Sequence, residues 1–348
     1  MLLEGLFVPV ITPFYLDGAL NLRKLEHNVD RYSRTPSAGL AILSDHGEPS
    51  LLSDEEARQV LRAAIEIAAE DKVMLAGVSR DSVAGTLAEI EFAAGLRYDA
   101  ALVATPQILR TMQGVAAKAE VLTYFRSVAD RSSLPLILTN VSLPDVVTEL
   151  AAHPNIIGVV DSSGTAASIT HIKAATAEIR HEVTVTTIFA AVTRRMLQLR
   201  DNAQGSTYIS ADSLTGVGTA LAVAPPKSAI KTRTKTVGFQ VIAGTTAGML
   251  DSLGAGASAC MTALSACAPQ AVYEVYAAWK DGDAALAQEK QSRVLQATQK
   301  IEQAMGIAGI RYACDLNGYF GGRPRLPLLP VTGEQRSAID KLMQGIRN

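Results

Sequence analysis

The run Asn155-Ile156-Ile157-Gly158-Val159-Val160-Asp161-Ser162-Ser163-Gly164 reads as a short, fully buried strand. It stops at an Asp-Ser-Ser-Gly turn and opens a helix near Thr165. Continuous apolar strands followed by helix caps belong to parallel sheets, where helices cover the faces and leave no polar side to the strand. At the carboxyl end of such a strand, Val159, Val160 and Asp161 are expected to point into the site. That position calls for something reactive, and the sequence places Val160 there.

Upstream, the same alternation recurs. Gly5–Val10 is a first strand with its turn at Thr12-Pro13-Phe14 and Asp17-Gly18. Asn21 caps a helix running to Arg34, and Gly39–Leu43 is a second strand ending at Ser44-Asp45-His46-Gly47-Glu48. Ser53 followed by Glu56 is a capping box. Strands at 73–78, 100–104 and 136–139 alternate with helices at 82–96, 114–129 and 144–152. No glycine-rich loop follows the first strand, as a dinucleotide-binding open sheet would require. The expected fold is therefore α/β, a closed (β/α)8 TIM barrel with right-handed crossovers and a C-terminal helical domain.

Two strands remain to be placed. Between about Glu182 and Thr236 the pattern alternates polar and apolar, with Lys231-Thr-Arg-Thr-Lys-Thr236 at its end. The simplest account is a long insertion, mostly β and outside the barrel, with strand seven at Val237–Ile242 and strand eight at Ala257–Met261. The rival makes Val183–Phe189 strand seven. The division expected is a barrel over 1–269, with the insertion at about 182–236, and a helical domain over 270–348.

Composition narrows the function classes. Lys and Arg number 32 against 34 Asp and Glu, a net charge of −2, which gives no reason for a nucleic-acid or anionic-membrane partner. The apolar N-terminus lacks Lys or Arg before Arg23 and is broken by Pro9, Pro13 and Asp17, unlike a signal peptide or a membrane span. Cys260, Cys267 and Cys314 show no metal-ligand spacing and read as reduced thiols, so a cytoplasmic protein is expected.

Several pieces together resemble the dihydrodipicolinate synthase / N-acetylneuraminate lyase family. They are Gly5-Leu-Phe-Val-Pro-Val-Ile-Thr-Pro-Phe14, Gly47-Glu48 with Leu52-Ser53, Asn140-Val141, Ile157-Gly158, Asp161-Ser-Ser-Gly164 and Gly318-Tyr-Phe-Gly-Gly-Arg-Pro-Arg-Leu-Pro-Leu328. The last also resembles the 4-hydroxy-2-oxoglutarate aldolase branch. The resemblance implies aldol cleavage or condensation of pyruvate-type 2-oxo acids through a Schiff base, in a homo-oligomer, with a small 2-oxo acid or other small anion as partner.

The departures fall on the chemistry. Where the family has its Schiff-base lysine this chain has Val160, and where it has a proton-shuttling tyrosine, Thr139. Its hydroxyl pair is replaced by Asp45-His46, and a carboxylate-binding arginine by Pro144. Valine offers no nucleophile, and threonine is a poor general acid near neutral pH. Other lysines are poorly placed to substitute. Lys173 belongs to an outer helix and Lys72 precedes strand three. Lys227, Lys231 and Lys235 lie in the insertion, which would have to fold over the mouth.

Asp45, His46 and Glu48, with Asp161 nearby, would suit a metal or an acid–base pair. The competing reading makes Glu48 structural and His46 a filler. A single histidine at a strand end falls short of a catalytic zinc set, so no metal and no cofactor are expected. Gly244-Thr-Thr-Ala-Gly248 opens a helix and would suit an anion or serve as a plain helix start. Arg323 and Arg325 read as interdomain ion pairs. The ligand-contacting set expected at the mouth is Ser44, Asp45, His46, Thr139, Val160, Gly244 and Ser258. The function expected is that of a 2-oxo-acid aldolase or lyase by descent whose Schiff-base chemistry is absent or altered. The alternative is a non-catalytic small-acid-binding barrel, a pseudoenzyme that supports an oligomer.

Overall fold

Eight short parallel strands close into a barrel. The computed structural model describes residues 1–110, 115–197 and 230–347. The wall strands are β1 (Gly5–Val10), β2 (Gly39–Ile42), β3 (Val73–Gly77), β4 (Ala100–Ala104), β5 (Leu136–Thr139) and β6 (Ile156–Asp161), then β9 (Gln240–Ala243) and β10 (Ala259–Cys260). They pair in the order β1-β2-β3-β4-β5-β6-β9-β10, and β10 returns to β1. The interior is filled by side chains such as Phe7, Leu75, Leu102, Ile137, Val160 and Ile242, while a larger apolar layer packs between wall and helices. This is the two-layer solution expected when strands are apolar on both faces.

Local chemistry fixes the element ends. Asn21, Ser82 and Thr165 each cap a helix by accepting a backbone N–H three residues on, at Lys24, Gly85 and Ser168. Ser53 and Glu56 form the reciprocal capping box at the start of helix Asp54–Ile67.

Between helix Ala166–Ala175 and β9 the described residues leave the wall. β7 (His181–Thr186) and β8 (Thr232–Val237) form an antiparallel pair of their own. Val183 is therefore not in wall strand seven, and β9 begins three residues later than the sequence suggested. The β7–β8 pair follows a helix and precedes a strand, so it lies at the amino-terminal face of the barrel, the floor. Val183 and Val185 pack on Leu2 there. Thr193 Oγ1 donates to the Glu70 carbonyl (2.6 Å), and Arg195 donates to the carbonyls of Ala68, Ala69 and Lys72. Asp99 accepts from the amides of Met74 (2.8 Å) and Arg194 (2.6 Å), and burial pushes its carboxyl above the ordinary range. Gln240 seals the centre, taking the Leu3 amide on Oε1 (2.6 Å) and donating to the Met1 carbonyl (3.1 Å).

After β10 the chain is helical, through Pro269–Lys280, Ala284–Ala297, Ala304–Leu316 and Gly333–Met343. A π-helical segment, Thr298–Gln303, joins the second to the third. The tail docks on helix Leu22–Ser33. Tyr319 stacks on Tyr32 with ring centroids 4.3 Å apart, and Asn28 exchanges two hydrogen bonds with the Phe320 backbone. No helix among the described residues is long and apolar enough to cross a membrane.

Candidate active site at the barrel mouth

β2 ends at a turn whose backbone is unusual. Leu43 has φ +57° and Glu48 φ +54°, conformations that L-residues avoid unless the surroundings enforce them. Enforcement comes from close packing on β3. A Cβ on Gly77 would stand 1.8 Å from the Leu43 carbonyl oxygen, so only glycine admits this approach. Between these residues a single 3-10 turn, Asp45–Gly47, carries Asp45 and His46 over the mouth.

Glu48 turns away from the mouth into a buried ion pair with Arg311, which is 0% exposed against 5% for Glu48. Arg311 also donates to the carbonyls of Gly321 (2.5 Å) and Thr12 (2.8 Å), and Thr12 Oγ1 donates to Gly47 (2.7 Å). The glutamate thus has the structural role, tying the mouth loop to the C-terminal helices. Arg311 itself carried no signal in the sequence, since its partner lies far off in the chain.

The mouth encloses a cavity of about 800 Å³. Ser44, Asp45, His46, Thr139, Val160 and Gly244 all line it, together with Arg80, Arg110 and Thr105. Asp45 Oδ2 accepts from Asn140 Nδ2 at 2.6 Å, joining the ends of β2 and β5. Burial lowers the His46 pKa from its ordinary value, and the charge of Asp45 pulls the other way. Ser44 Oγ, Thr105 Oγ1 and His46 Nδ1 are buried and have no hydrogen-bond partner among the described residues. Arg110 donates through Nε to the Thr105 carbonyl (2.8 Å), while Arg80 is engaged by Asp54 (2.8 Å).

Val160, 6% exposed, faces this space as part of the interior cluster. None of the described residues lining the cavity is a lysine. Its neighbours on β6 depart from expectation. Val159 packs outward into the helix layer, and Asp161 turns outward to accept from Ser163 Oγ (2.6 Å) and Ser168 Oγ (2.7 Å). The cause is alternation, since adjacent strand residues face opposite ways. An irregularity where β5 meets Ile156 and Gly158 sets which of them face in.

Ser258 is a further correction. It precedes β10, bonds through its backbone to Val241 (2.9 Å) and Gly5 (3.3 Å), and belongs to the floor end, whereas Met261 reaches the mouth. The Gly244–Gly248 segment is no open anion cradle either. The helix after it is only Met249–Gly254, and Thr246 is engaged by Glu302 (2.6 Å) and Gln291 (2.8 Å) from the C-terminal helices. Burial pushes the Glu302 carboxyl up.

The lysines weighed above as substitutes lie away from the mouth where they are described. Lys72 donates to the carbonyls of Thr35 and Ser37, Lys173 to Phe239, and Lys235 pairs with Glu4 at 3.2 Å, all toward the floor. Lys231 is exposed just before β8, and Lys227 lies outside the described residues. Arg325 makes the expected ion pair, with Glu56 on a barrel helix (2.6 Å), whereas Arg323, for which the same was expected, makes none among the described residues. No cluster of three or more metal-ligating side chains occurs among the described residues.

The model of the Dihydrodipicolinate synthetase family matches residues 2–189 and 214–346. The chain belongs to that family. A 4-hydroxy-tetrahydrodipicolinate synthase of Xanthomonas axonopodis pv. citri is 36% identical over 169 residues, 47% of this chain and 54% of the relative. The chain thus spans about half the length of such relatives. One of Acidiphilium cryptum with the same name is 25% identical over 350 residues, covering 99% of this chain and 98% of its own. Among solved structures, a dihydrodipicolinate synthase of Bacillus anthracis superposes with a TM-score of 0.76 at 18% identity, over 100% of both chains. A family member from E. coli K12, solved in complex with pyruvate, does so with a TM-score of 0.73 at 22% identity, over 99% of both. Likeness at these identities establishes the shared fold.

Proposed function

We propose that this chain is an aldolase- and lyase-like member of its family that holds a small carboxylate in the mouth without forming a Schiff base. One observation carries the reading: at the carboxyl end of β6 the inward side chain is Val160, and no described residue lining the cavity is a lysine. A ligand here would be held by hydrogen bonds and charge. Ser44 and Thr105 supply unengaged hydroxyls, and Arg110 the cation. Asp45 opposes an anion, with one of its oxygens engaged by Asn140. Binding of pyruvate is accordingly weak.

The homo-oligomer and the cytoplasmic location implied above belong to this proposal. Three buried free thiols fit a reducing compartment.

The test is borohydride reduction in the presence of pyruvate, read by intact mass. The wild-type chain should show no adduct. Val160→Lys with Thr139→Tyr, which restores both a nucleophile and a proton shuttle, should begin to trap. A reduced pyruvate adduct on any lysine of the wild-type chain would overturn the proposal and identify the residue that replaces Val160.

A further inference from the structure

Away from the mouth, a second cleft of about 320 Å³ opens between the Phe14–Leu20 turn, the first turn of helix Leu22–Ser33 and the C-terminal segment. Its size is at the lower end of small-ligand pockets. Three cations line it, Lys24, Arg323 and Arg336, and none forms an ion pair among the described residues. Lys24 Nζ stands 4.5 Å from the ring centre of Phe320, and the Arg336 guanidinium 5.5 Å from that of Tyr312, which also lines the cleft. These rings locate the charges without neutralising them. Among the described lining residues Asp315 is the one acid; it accepts the amides of Gly321 (3.0 Å) and Gly322 (3.2 Å), and the three cations outnumber its single negative charge. A chain of net charge −2 therefore concentrates unpaired positive charge in one concave, partly aromatic place.

We infer that this cleft binds a small polyanion, with Arg323 and Arg336 as its principal partners and Lys24 as a third charge. Guanidinium groups suit this ligand because their planar forks meet two oxygens of a phosphate or carboxylate at once. The three cations are exposed, so it is their number on one concave wall that favours a ligand carrying several negative charges. A phosphate ester and a polycarboxylate share this chemistry.

The experiment is calorimetric titration of the full chain with pyrophosphate and, separately, citrate, at constant ionic strength. At least one should bind to a single saturable site. Arg323→Gln/Arg336→Gln should weaken it at least about tenfold, the equivalent of one charge-assisted hydrogen bond. Lys24→Gln should weaken it less, and Arg131→Gln, an exposed arginine elsewhere, should leave it unchanged. Binding of pyrophosphate alone assigns a phosphoryl ligand, and of citrate alone a polycarboxylate. No saturable binding of either anion would refute the inference. So would full affinity in the double variant, or an equal loss in Arg131→Gln.

Discussion

Arg311→Met tests the contact that sets the mouth loop. In the wild-type structure one fully buried guanidinium serves the Glu48 carboxylate and two backbone carbonyls, of Thr12 and Gly321. Methionine fills much of the same volume but donates nothing. The variant leaves a buried carboxylate without its cation and two carbonyls without a donor, and removing one partner of a buried pair costs about 3–5 kcal/mol. The tail cannot relax into the gap easily, because a Cβ on Gly321 would already stand 2.0 Å from the Arg311 carbonyl oxygen. Urea denaturation should show a loss in that range. Glu48→Met alone should also destabilise, and the double variant should lose less than the sum by at least about 1 kcal/mol, since the two residues act on each other. A loss below about 1 kcal/mol, or strict additivity, would mean that the ion pair does not hold the loop and that the strained backbone at Leu43 and Glu48 is fixed by packing alone.

Two further expectations concern pH. Burial lowers the His46 pKa, so its imidazole takes up a proton at lower pH than an ordinary histidine does. Pyruvate affinity measured by calorimetry should rise on acidification with its midpoint below the ordinary histidine value of 6.5, and a rise centred at or above that pH would sink the burial argument. The hydrogen bond from Arg325 holds Glu56 at about 2 instead of the ordinary 4.5. A depressed carboxyl stabilises the fold above the unfolded pKa, and the gain is lost as pH falls from about 4.5 toward 2. Arg325→Ala should therefore lower the melting temperature at about pH 6 and lose less on acidification than wild type. Parallel pH profiles would count against the pairing.

Much of this molecule could be read before it was seen, and the exceptions have physical causes. The capping box at Ser53 and Glu56 is local, so four residues suffice to recognise it. Asp45 and His46 were placed at the mouth because they follow an apolar strand, and the structure brings them to Thr139 and Val160. The outward turn of Val159 and Asp161 was hidden because it depends on register at Ile156 and Gly158, a property of two strands. Ser258 stands at the amino end of its strand, so chain direction puts it at the floor, and Met261 just past the carboxyl end is the residue that reaches the mouth. Arg311 reaches Glu48 and Thr12 only once the barrel and the C-terminal helices are both folded, so nothing in its neighbourhood announces it.

The closure of the floor has a kinetic meaning. With Gln240 bridging Leu3 and Met1, and the β7–β8 pair packed beneath, the barrel is blind at one end. Whatever occupies the mouth must depart along the route by which it arrived, and two molecules cannot pass each other by using opposite exits. Entry and exit therefore share one opening above Val160, however many small molecules the cavity of about 800 Å³ holds at once. The residues that flank the rim, Asp45, Arg110 and Asn140 among them, stand on the path of arrival and of departure alike.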